Sequence, residues 1–183
     1  MDRAEAWELL NSRVKEEYLI KHSLASEVIM RALAKKLGHD EELWGLAGLL
    51  HDLDFEETKD APEQHAKVAA EFLEGKLPEE AVLAIKRHNA EMLGCKRETV
   101  FDLALTAAET ITGLIVATAL VYPDKKLASV KPKSVTKRMK EKAFAAKVNR
   151  DHIRLCEEFG VPLPEFAALS VEAMKGISDD LGL

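Results

Sequence analysis

The adjacent residues His51 and Asp52 place an imidazole and a carboxylate side by side, directly after the apolar run LAGLL at 46–50. Four more residues of types that bind metals are spread along the chain: His22, His65, His88 and Glu109. A buried charged group without a partner is costly, so an apolar segment that ends in these side chains needs a compensating ion. Imidazole and carboxylate ligands suit divalent metals such as zinc, iron and manganese. The residue types therefore predict a metal site.

Helices must position these side chains. Apolar residues recur at helical spacing from Glu16 to Leu37, which places His22 in the middle of a helix. Asp40 is expected to cap a helix that runs to about His51. Glu109 lies inside a long apolar helix predicted over 99–121, where an unpaired carboxylate would be destabilising.

The rest of the chain also favours helices. They are expected over residues 2–14, 62–74, 78–88, 135–147, 149–160 and 164–175. Strand signals are nearly absent, since there is no long β-branched alternation and no Asn-Gly or Asp-Gly turn. The sequence predicts an all-α fold with eight or nine helices in a single compact domain over residues 1–183, with His65 in a first helical turn and His88 at a helix end.

Composition limits the classes of function. The net charge of −6 gives no reason to expect a partner of duplex nucleic acid, although ten basic and two acidic residues between 121 and 150 would attract anions locally. Cys95 and Cys156 are expected to be free thiols in a reducing cytosol. The start of the chain lacks an apolar signal-peptide core, and the apolar run over 101–122 is interpreted as a buried helix and not a membrane span. We therefore expect a cytoplasmic protein without a membrane partner.

The ligand-type residues, in their order, resemble the HD-domain metal-dependent phosphohydrolase superfamily. The resemblance lies in His22, then the His51–Asp52 pair, then an acid about 57 residues later. Three local runs are similar to the small prokaryotic HDIG-type branch: KHSLA at 21–25, LAGLLHD at 46–52 and AAETITGL at 107–114. The motifs cover residues 15–122, and residues 123–183 look like that branch's C-terminal extension.

The resemblance implies a ligand set. A first divalent metal (Mn, Fe, Co, Zn, Ni or Mg) would be held by His22, His51, Asp52 and Glu109. His65 and His88 match extra histidines that hold a second metal in dinuclear members, with Asp52 as the bridge; alternatively they are surface or capping histidines. One metal is expected and two are possible.

Three positions depart from the family pattern. Glu109 stands where the family usually has Asp, and Asn89 stands where many dinuclear members have a second histidine. Leu53 and Asp54 replace the usual Ile-Gly pair. Asp54 could orient a ligand histidine and handle a proton, or it could be a solvated acid in the turn.

The expected function is hydrolysis of a phosphomonoester or phosphodiester bond in a small nucleotide-like substrate, by a water activated at the metal. Asp52 and Asp54 are the candidate catalytic residues. The candidate substrate-binding residues are Lys133, Lys137, Arg138 and Asn89, although the basic helix can also be a solvated face. The alternative is a non-catalytic module that senses a nucleotide through a residual metal site. A homodimer is compatible with either.

Overall fold

The chain folds into helices throughout, and the computed structural model describes all residues, 1–183. It contains twelve α-helical segments, one 3-10 turn at Leu127–Ser129 and no strand. In chain order α1 to α12 are Arg3–Arg13, Glu17–Leu37, Glu41–Leu50, Phe55–Thr58, Lys67–Leu73, Glu79–His88, Ala90–Leu93, Val100–Leu120, Pro132–Arg138, Arg150–Glu158, Leu163–Lys175 and Ser178–Leu181. Three of them (α4, α7 and α12) are single turns of four residues, which leaves nine longer helices. The all-α class is confirmed, and the total of helical segments exceeds the eight or nine expected.

The two 21-residue helices α2 and α8 form the frame of the fold. Helix α2 packs against α3, α8 and α11, and α8 packs against α6, α9 and α10. Ile29, Leu33 and Ile111 are among the fully buried residues of the one large core that they share. By length and composition alone α8 could cross a membrane, but 67% of its most apolar window is buried inside the protein, as in the core helix of a soluble protein.

Local signals set the ends of the helices that carry the candidate ligands. Gly38 ends α2 with a left-handed backbone (φ 76°), and the Asp40 carboxylate caps α3 by accepting from the backbone N–H groups of Glu42 and Leu43. Helix α8 begins at a capping box in which Thr99 and Asp102 each accept a backbone N–H of the other.

The helix expected over 62–74 begins only at Lys67, so that part of the prediction is wrong. Residues 62–66 form turns instead, and Ala66 has a left-handed backbone (φ 69°). The carbonyls of Pro62 and His65, which a helix would have used, accept hydrogen bonds from the Asn89 side chain. His65 therefore lies in a loop.

The basic helix is also shorter than expected, since α9 spans Pro132–Arg138 and not 135–147. Proline suits the first turn of a helix, so α9 begins earlier, and Ser134 bonds the Tyr122 hydroxyl instead of capping. After α9 the chain runs through turns to residue 148. The Arg150 guanidinium donates to carbonyls of this segment, including those of Ala145 and Val148, both at 2.7 Å.

Candidate metal centre

His51 follows the last residue of α3, a helix that lies in backbone contact with α2. A Cβ atom added at Gly48 would lie 2.8 Å from the Ser26 carbonyl oxygen and 3.0 Å from the Glu27 Cα, so no larger residue fits without a shift. Ser26 is one turn after His22 on α2. The close contact therefore brings His51 beside His22, with 3.1 Å between their Nε2 atoms.

Asp52 and Glu109 complete this first group of ligand types. The His51 Nε2 lies 3.4 Å from the Asp52 Oδ1. The His22 Nε2 lies 3.6 Å from the Asp52 Oδ2 and 3.9 Å from the Glu109 Oε2, which projects from the middle of α8. The structure thus gathers the four residues that the resemblance assigned to a first metal.

A second group lies on the other side of Asp52. The Nε2 atoms of His65 and His88 are 3.3 Å and 3.5 Å from the Asp52 Oδ1, and 3.2 Å from each other. The ligand atoms of these three residues all lie within 4.8 Å of one another, as do those of His22, His51 and Asp52. Asp52 is therefore common to both groups.

Each of the four histidines uses its Nδ1 to donate a hydrogen bond outside the cluster. The acceptors are Thr112 Oγ1 for His22 (2.9 Å), the Gly48 carbonyl for His51 (2.8 Å), Asp54 Oδ1 for His65 (2.9 Å) and the Ile85 carbonyl for His88 (2.6 Å). Carbonyl and carboxylate oxygens only accept, and the Thr112 hydroxyl gives its own proton to the Glu109 carbonyl. In the neutral form of each ring the proton is thus on Nδ1, and the Nε2 lone pair faces the cluster.

This arrangement fits divalent metal ions. In their neutral forms the His22 and His51 rings direct two lone pairs at each other across 3.1 Å, and these repel each other unless a cation lies between them. Ligand atoms that share one tetrahedral zinc ion at about 2.0–2.1 Å lie roughly 3.3–3.4 Å apart. Within each group, the histidine and Asp52 atoms lie 3.1–3.6 Å from one another, close to that separation. The mixed nitrogen and oxygen donors suit Mn, Fe, Co, Zn or Ni. The residues present can hold one metal in the first group and another in the second.

Burial and neighbouring charge adjust the protonation of the cluster. Burial lowers the pKa of His51 to about 3, so its ring is neutral at pH 7, as a ligand must be. Burial alone would raise the pKa of Asp52, but the surrounding histidines, His51 foremost, hold it well below its ordinary value. Burial raises the pKa of Glu109, while the nearby His22 opposes this shift. The centre thus holds one firmly ionised carboxylate and one for which ionisation is costly.

Asp54 is a positioning residue. Its side chain is 1% exposed, and its two oxygens accept from the His65 Nδ1 and from the backbone N–H of Ala69, both at 2.9 Å. Burial would lower the pKa of His65, but its hydrogen bonds to Asp52 and Asp54 raise it to about 10. The interpretation of Asp54 as a solvated acid is wrong. Its assignment as a catalytic residue is replaced by this positioning role, because both of its oxygens already accept hydrogen bonds, from His65 and from Ala69.

Asn89 also has a structural role. Its side-chain amide donates to the carbonyls of Pro62 and His65, both at 3.0 Å. These bonds fix the loop that carries His65, so the prediction that Asn89 binds substrate is replaced by a role in holding this loop.

The basic residues of α9 lie elsewhere. Lys133 and Lys137 are exposed, and Arg138 pairs with Glu141 and lies 4.2 Å from the centre of the Phe144 ring. None of the three basic residues lines a cavity at the centre. Their prediction as phosphate ligands is therefore wrong for this arrangement, and the solvated-face alternative describes α9.

Two cavities meet at the centre, and both are lined by His22, Glu109, Thr112 and Gly113. The smaller, of about 320 Å³, is polar and also contains Lys147, Asn149 and His152. The larger, of about 630 Å³, is mainly apolar and contains Lys21.

Sequence reasoning missed the basic groups of these cavities. Lys147 was one of ten basic residues in its segment, and no local signal separates it from the others. His152 lies at the rim of the polar cavity, with its Nε2 3.0 Å from the Glu91 Oε1.

Comparison with protein families agrees with this geometry. The model of the HD domain family matches residues 19–119, more than half of the chain, and this range contains all six of the predicted ligands. No curated protein and no solved structure matches the chain. Assignment to the HDIG-type branch stays a prediction. The chain belongs to the HD domain family, which places it in the superfamily of metal-dependent phosphohydrolases.

Proposed function

We propose that this protein is a metal-dependent hydrolase of phosphate esters. The observation that carries the proposal is the position of Asp52. Its Oδ1 atom lies within 3.5 Å of the Nε2 atoms of His51, His65 and His88. One ionised carboxylate between two sets of imidazoles could hold two neighbouring cations. Such cations would stabilise the attacking and leaving oxygens of a phosphoryl displacement.

The residues divide into two sets of proposed ligands. The first is His22, His51, Asp52 and Glu109, and the second is Asp52, His65 and His88. When bound, a divalent metal supplies a water of lowered pKa and polarises a phosphoryl oxygen.

The side chains around the ligands have separate tasks. Asp54 holds the His65 ring by its Nδ1, so that Nε2 stays directed at Asp52. Thr112 does the same for His22. Glu109 lines both cavities and is the proposed acceptor of the proton released from water.

Lys147 is the proposed phosphate-binding cation. It is exposed at the polar cavity that also contains Glu109 and His22, and its segment is fixed by the Arg150 guanidinium. An ammonium group there would form charge-assisted hydrogen bonds with the non-bridging oxygens. It takes the part that the sequence had suggested for α9.

Hydrolysis of 4-nitrophenyl phosphate and bis(4-nitrophenyl) phosphate tests the proposal, with metal-free protein reloaded in turn with Mn²⁺, Fe²⁺, Co²⁺, Ni²⁺, Zn²⁺ or Mg²⁺. We expect turnover with at least one metal, and we expect Asp52→Asn to remove it. His39→Gln is the matched control, because His39 is an exposed histidine outside the centre. Full activity in Asp52→Asn would overturn the mechanism, and metal binding without turnover of any ester would favour the sensor alternative.

The role of Lys147 has its own control. We expect Lys147→Ala to raise KM about tenfold or more, since a hydrogen bond to a charged group contributes about 1.5–3 kcal/mol. Lys137→Ala on α9 should leave KM unchanged. Equal effects of the two substitutions would contradict the assignment of Lys147.

A further inference from the structure

The larger cavity begins at the metal centre and extends away from it. Three of the proposed ligands, His22, Asp52 and Glu109, form its inner end. Its volume of about 630 Å³ lies within the range of roughly 300–1,000 Å³ that is usual for small-molecule sites. A substrate held at the centre by its phosphate can therefore place its organic group here.

The walls of this cavity are apolar side chains from two facing helices and from the C-terminal turn. On α8, Gly113, Val116, Ala117 and Leu120 follow the spacing of one helix face. The other apolar lining residues are Tyr18, Leu19, Ala25, Phe55, Leu181 and Leu183. Beyond the ligands, the cavity is thus lined mainly by hydrophobic groups from α2, α4, α8 and the C-terminal segment.

Polar partners are scarce in this cavity. Apart from the proposed ligands and the Tyr18 hydroxyl, its polar side chains are Thr112 and Lys21. The Thr112 hydroxyl already joins His22 to the Glu109 carbonyl, and the Lys21 ammonium is paired with Glu17 at 2.6 Å. The edge of a nucleobase has several donors and acceptors, most of which would lose water here without gaining a partner.

The two cavities therefore suit different parts of a substrate. The polar cavity, with Lys147, suits the phosphate, and the apolar cavity suits a group without hydrogen-bonding atoms. Tyr18 is 62% exposed and Leu120 is 49% exposed, and both line the apolar cavity, as expected for the entrance of an apolar ligand.

We propose that the substrate is a phosphate ester of an apolar alcohol, with an alkyl or aryl group in the cavity between α2, α8 and α12, and not a nucleotide. This inference rests on the proposed function for the phosphate at the centre. It replaces the nucleotide-like substrate predicted from the sequence with a substrate whose organic group is apolar.

Binding of phosphonates that cannot be hydrolysed tests the inference separately from turnover. Calorimetry with the Zn²⁺-loaded and Mn²⁺-loaded protein would compare methylphosphonate, butylphosphonate, octylphosphonate and adenosine 5′-monophosphate. We expect affinity to rise along the alkyl series by up to about fourfold for each buried methylene, with an increasingly negative heat capacity change. Octylphosphonate should bind at least tenfold more tightly than the nucleotide.

Variants of the cavity wall test whether the alkyl group binds in this cavity. Ala117→Phe adds a ring to the wall and changes none of the proposed metal ligands. It should weaken the binding of octylphosphonate at least tenfold, while the binding of methylphosphonate and of metal stays unchanged. The matched control is Ala4→Phe, at an exposed position of α1 outside the cavity. Should Ala117→Phe fail to fold, Val116→Thr keeps the shape of the wall and replaces a methyl group with a hydroxyl, and it should weaken the binding of octylphosphonate severalfold.

The following results would overturn the inference. Affinities that do not depend on chain length, a nucleotide bound as tightly as octylphosphonate, or chain-length dependence that survives the substitutions would each do so. A dimer that closes the cavity and excludes octylphosphonate would do so as well. Chain-length dependence without hydrolysis of any ester would leave the ligand class standing and remove the proposed function; hydrolysis without chain-length dependence would do the reverse.

Discussion

The Nε2 atoms of His22 and His51 lie 3.1 Å apart, although each ring already donates a hydrogen bond through its Nδ1. Two neutral rings in this tautomer direct their lone pairs at each other. Burial keeps the pKa of His51 at about 3, so this ring does not supply the missing proton at pH 7. A metal ion held by these two rings would remove this repulsion, and the folded state should therefore depend on metal for part of its stability.

Metal should raise the melting temperature of the protein. A ligand at 100 times its Kd stabilises the folded state by about 2.7 kcal/mol, which corresponds to roughly 5–10 °C for a chain of this size. Calorimetry of chelator-treated protein with and without Zn²⁺ or Mn²⁺ measures the rise. His51→Ala should lose most of it, and His39→Ala, at an exposed position, should keep it. The same rise in both variants would contradict a role for His51 in metal binding.

Asp54→Asn should weaken the second metal selectively. Asp54 fixes His65 by its Nδ1, and loss of such an orienting carboxylate typically costs 10–100-fold in metal affinity. Metal analysis after gel filtration should show about two equivalents in the parent protein and a number approaching one in the variant. Asp60→Asn changes an exposed acid of the same region and should retain the parent value. Two tightly held equivalents in Asp54→Asn would exclude the positioning role.

The residues that the sequence predicted well are those whose position follows from helical periodicity. His22, His88 and Glu109 lie on helices where they were expected, and His51 lies at the end of α3. Since periodicity fixes which face of a helix is apolar, a polar residue on that face already indicates a buried functional group. The core helices and the order of the ligand types were accordingly within reach of the sequence.

The residues that the sequence predicted poorly lie in loops or act at long range. The amide of Asn89 and the carboxylate of Asp54 bind a loop whose path depends on the left-handed backbone of Ala66. Alanine gives no local signal for that conformation. Lys147 lines the polar cavity because Arg150 holds the carbonyls of the preceding turns, and such side-chain bonds to irregular backbone leave no spacing pattern in the chain.

The two carboxylates of the first group should affect the metal-free protein in opposite directions. Burial raises the pKa of Glu109, so its ionised form destabilises the fold at any pH above that raised pKa, and Glu109→Gln should raise the free energy of unfolding at pH 7. The pKa of Asp52 is lowered, so its carboxylate stabilises the fold above its ordinary pKa of 3.8, and Asp52→Asn should lower that free energy. Urea unfolding in chelator should show changes of roughly 0.5–3 kcal/mol of opposite sign. With metal added, both variants should gain less stability than the parent. Changes of the same sign in chelator would refute this account.

Gly48→Ala should destabilise the fold, although alanine is the better helix former by roughly 1 kcal/mol. Its Cβ would meet the Ser26 carbonyl carbon at 2.9 Å and the oxygen at 2.8 Å, and backbone cannot move aside as a side chain does. We expect a loss of about 1–3 kcal/mol in urea unfolding, as for overpacked cores, and weaker metal binding because α3 carries His51 away from α2. Gly113→Ala is the control on α8, since its Cβ would meet only a Val148 methyl group at 3.2 Å. Losses of equal size at the two glycines would show that backbone contact is not the cause.

Glu91 joins α7 to α10 across the rim of the polar cavity, and this link should depend on pH. The Arg97 guanidinium donates to both Glu91 oxygens at 2.7 Å and 2.8 Å, and the His152 Nε2 lies 3.0 Å from the Glu91 Oε1. Hydrogen bonding to Arg97 is the main reason that the pKa of Glu91 falls to about 2. A carboxylate with a lowered pKa contributes stability that is complete above its ordinary value of 4.5 and is lost as the pH falls toward 2. The side chain of Glu91 is 56% exposed, so Glu91→Gln should cost only about 0.5–1 kcal/mol at pH 7. Urea unfolding at pH 7, 5, 4 and 3.5 should show that the difference in free energy of unfolding between Glu91→Gln and the parent shrinks below about pH 4.5. The control Glu63→Gln changes an exposed acid without an ion pair, and it should show no such difference at any pH. A difference that grows on acidification would mean that the Glu91 carboxylate opposes folding, and the link between α7 and α10 would then have to come from packing alone.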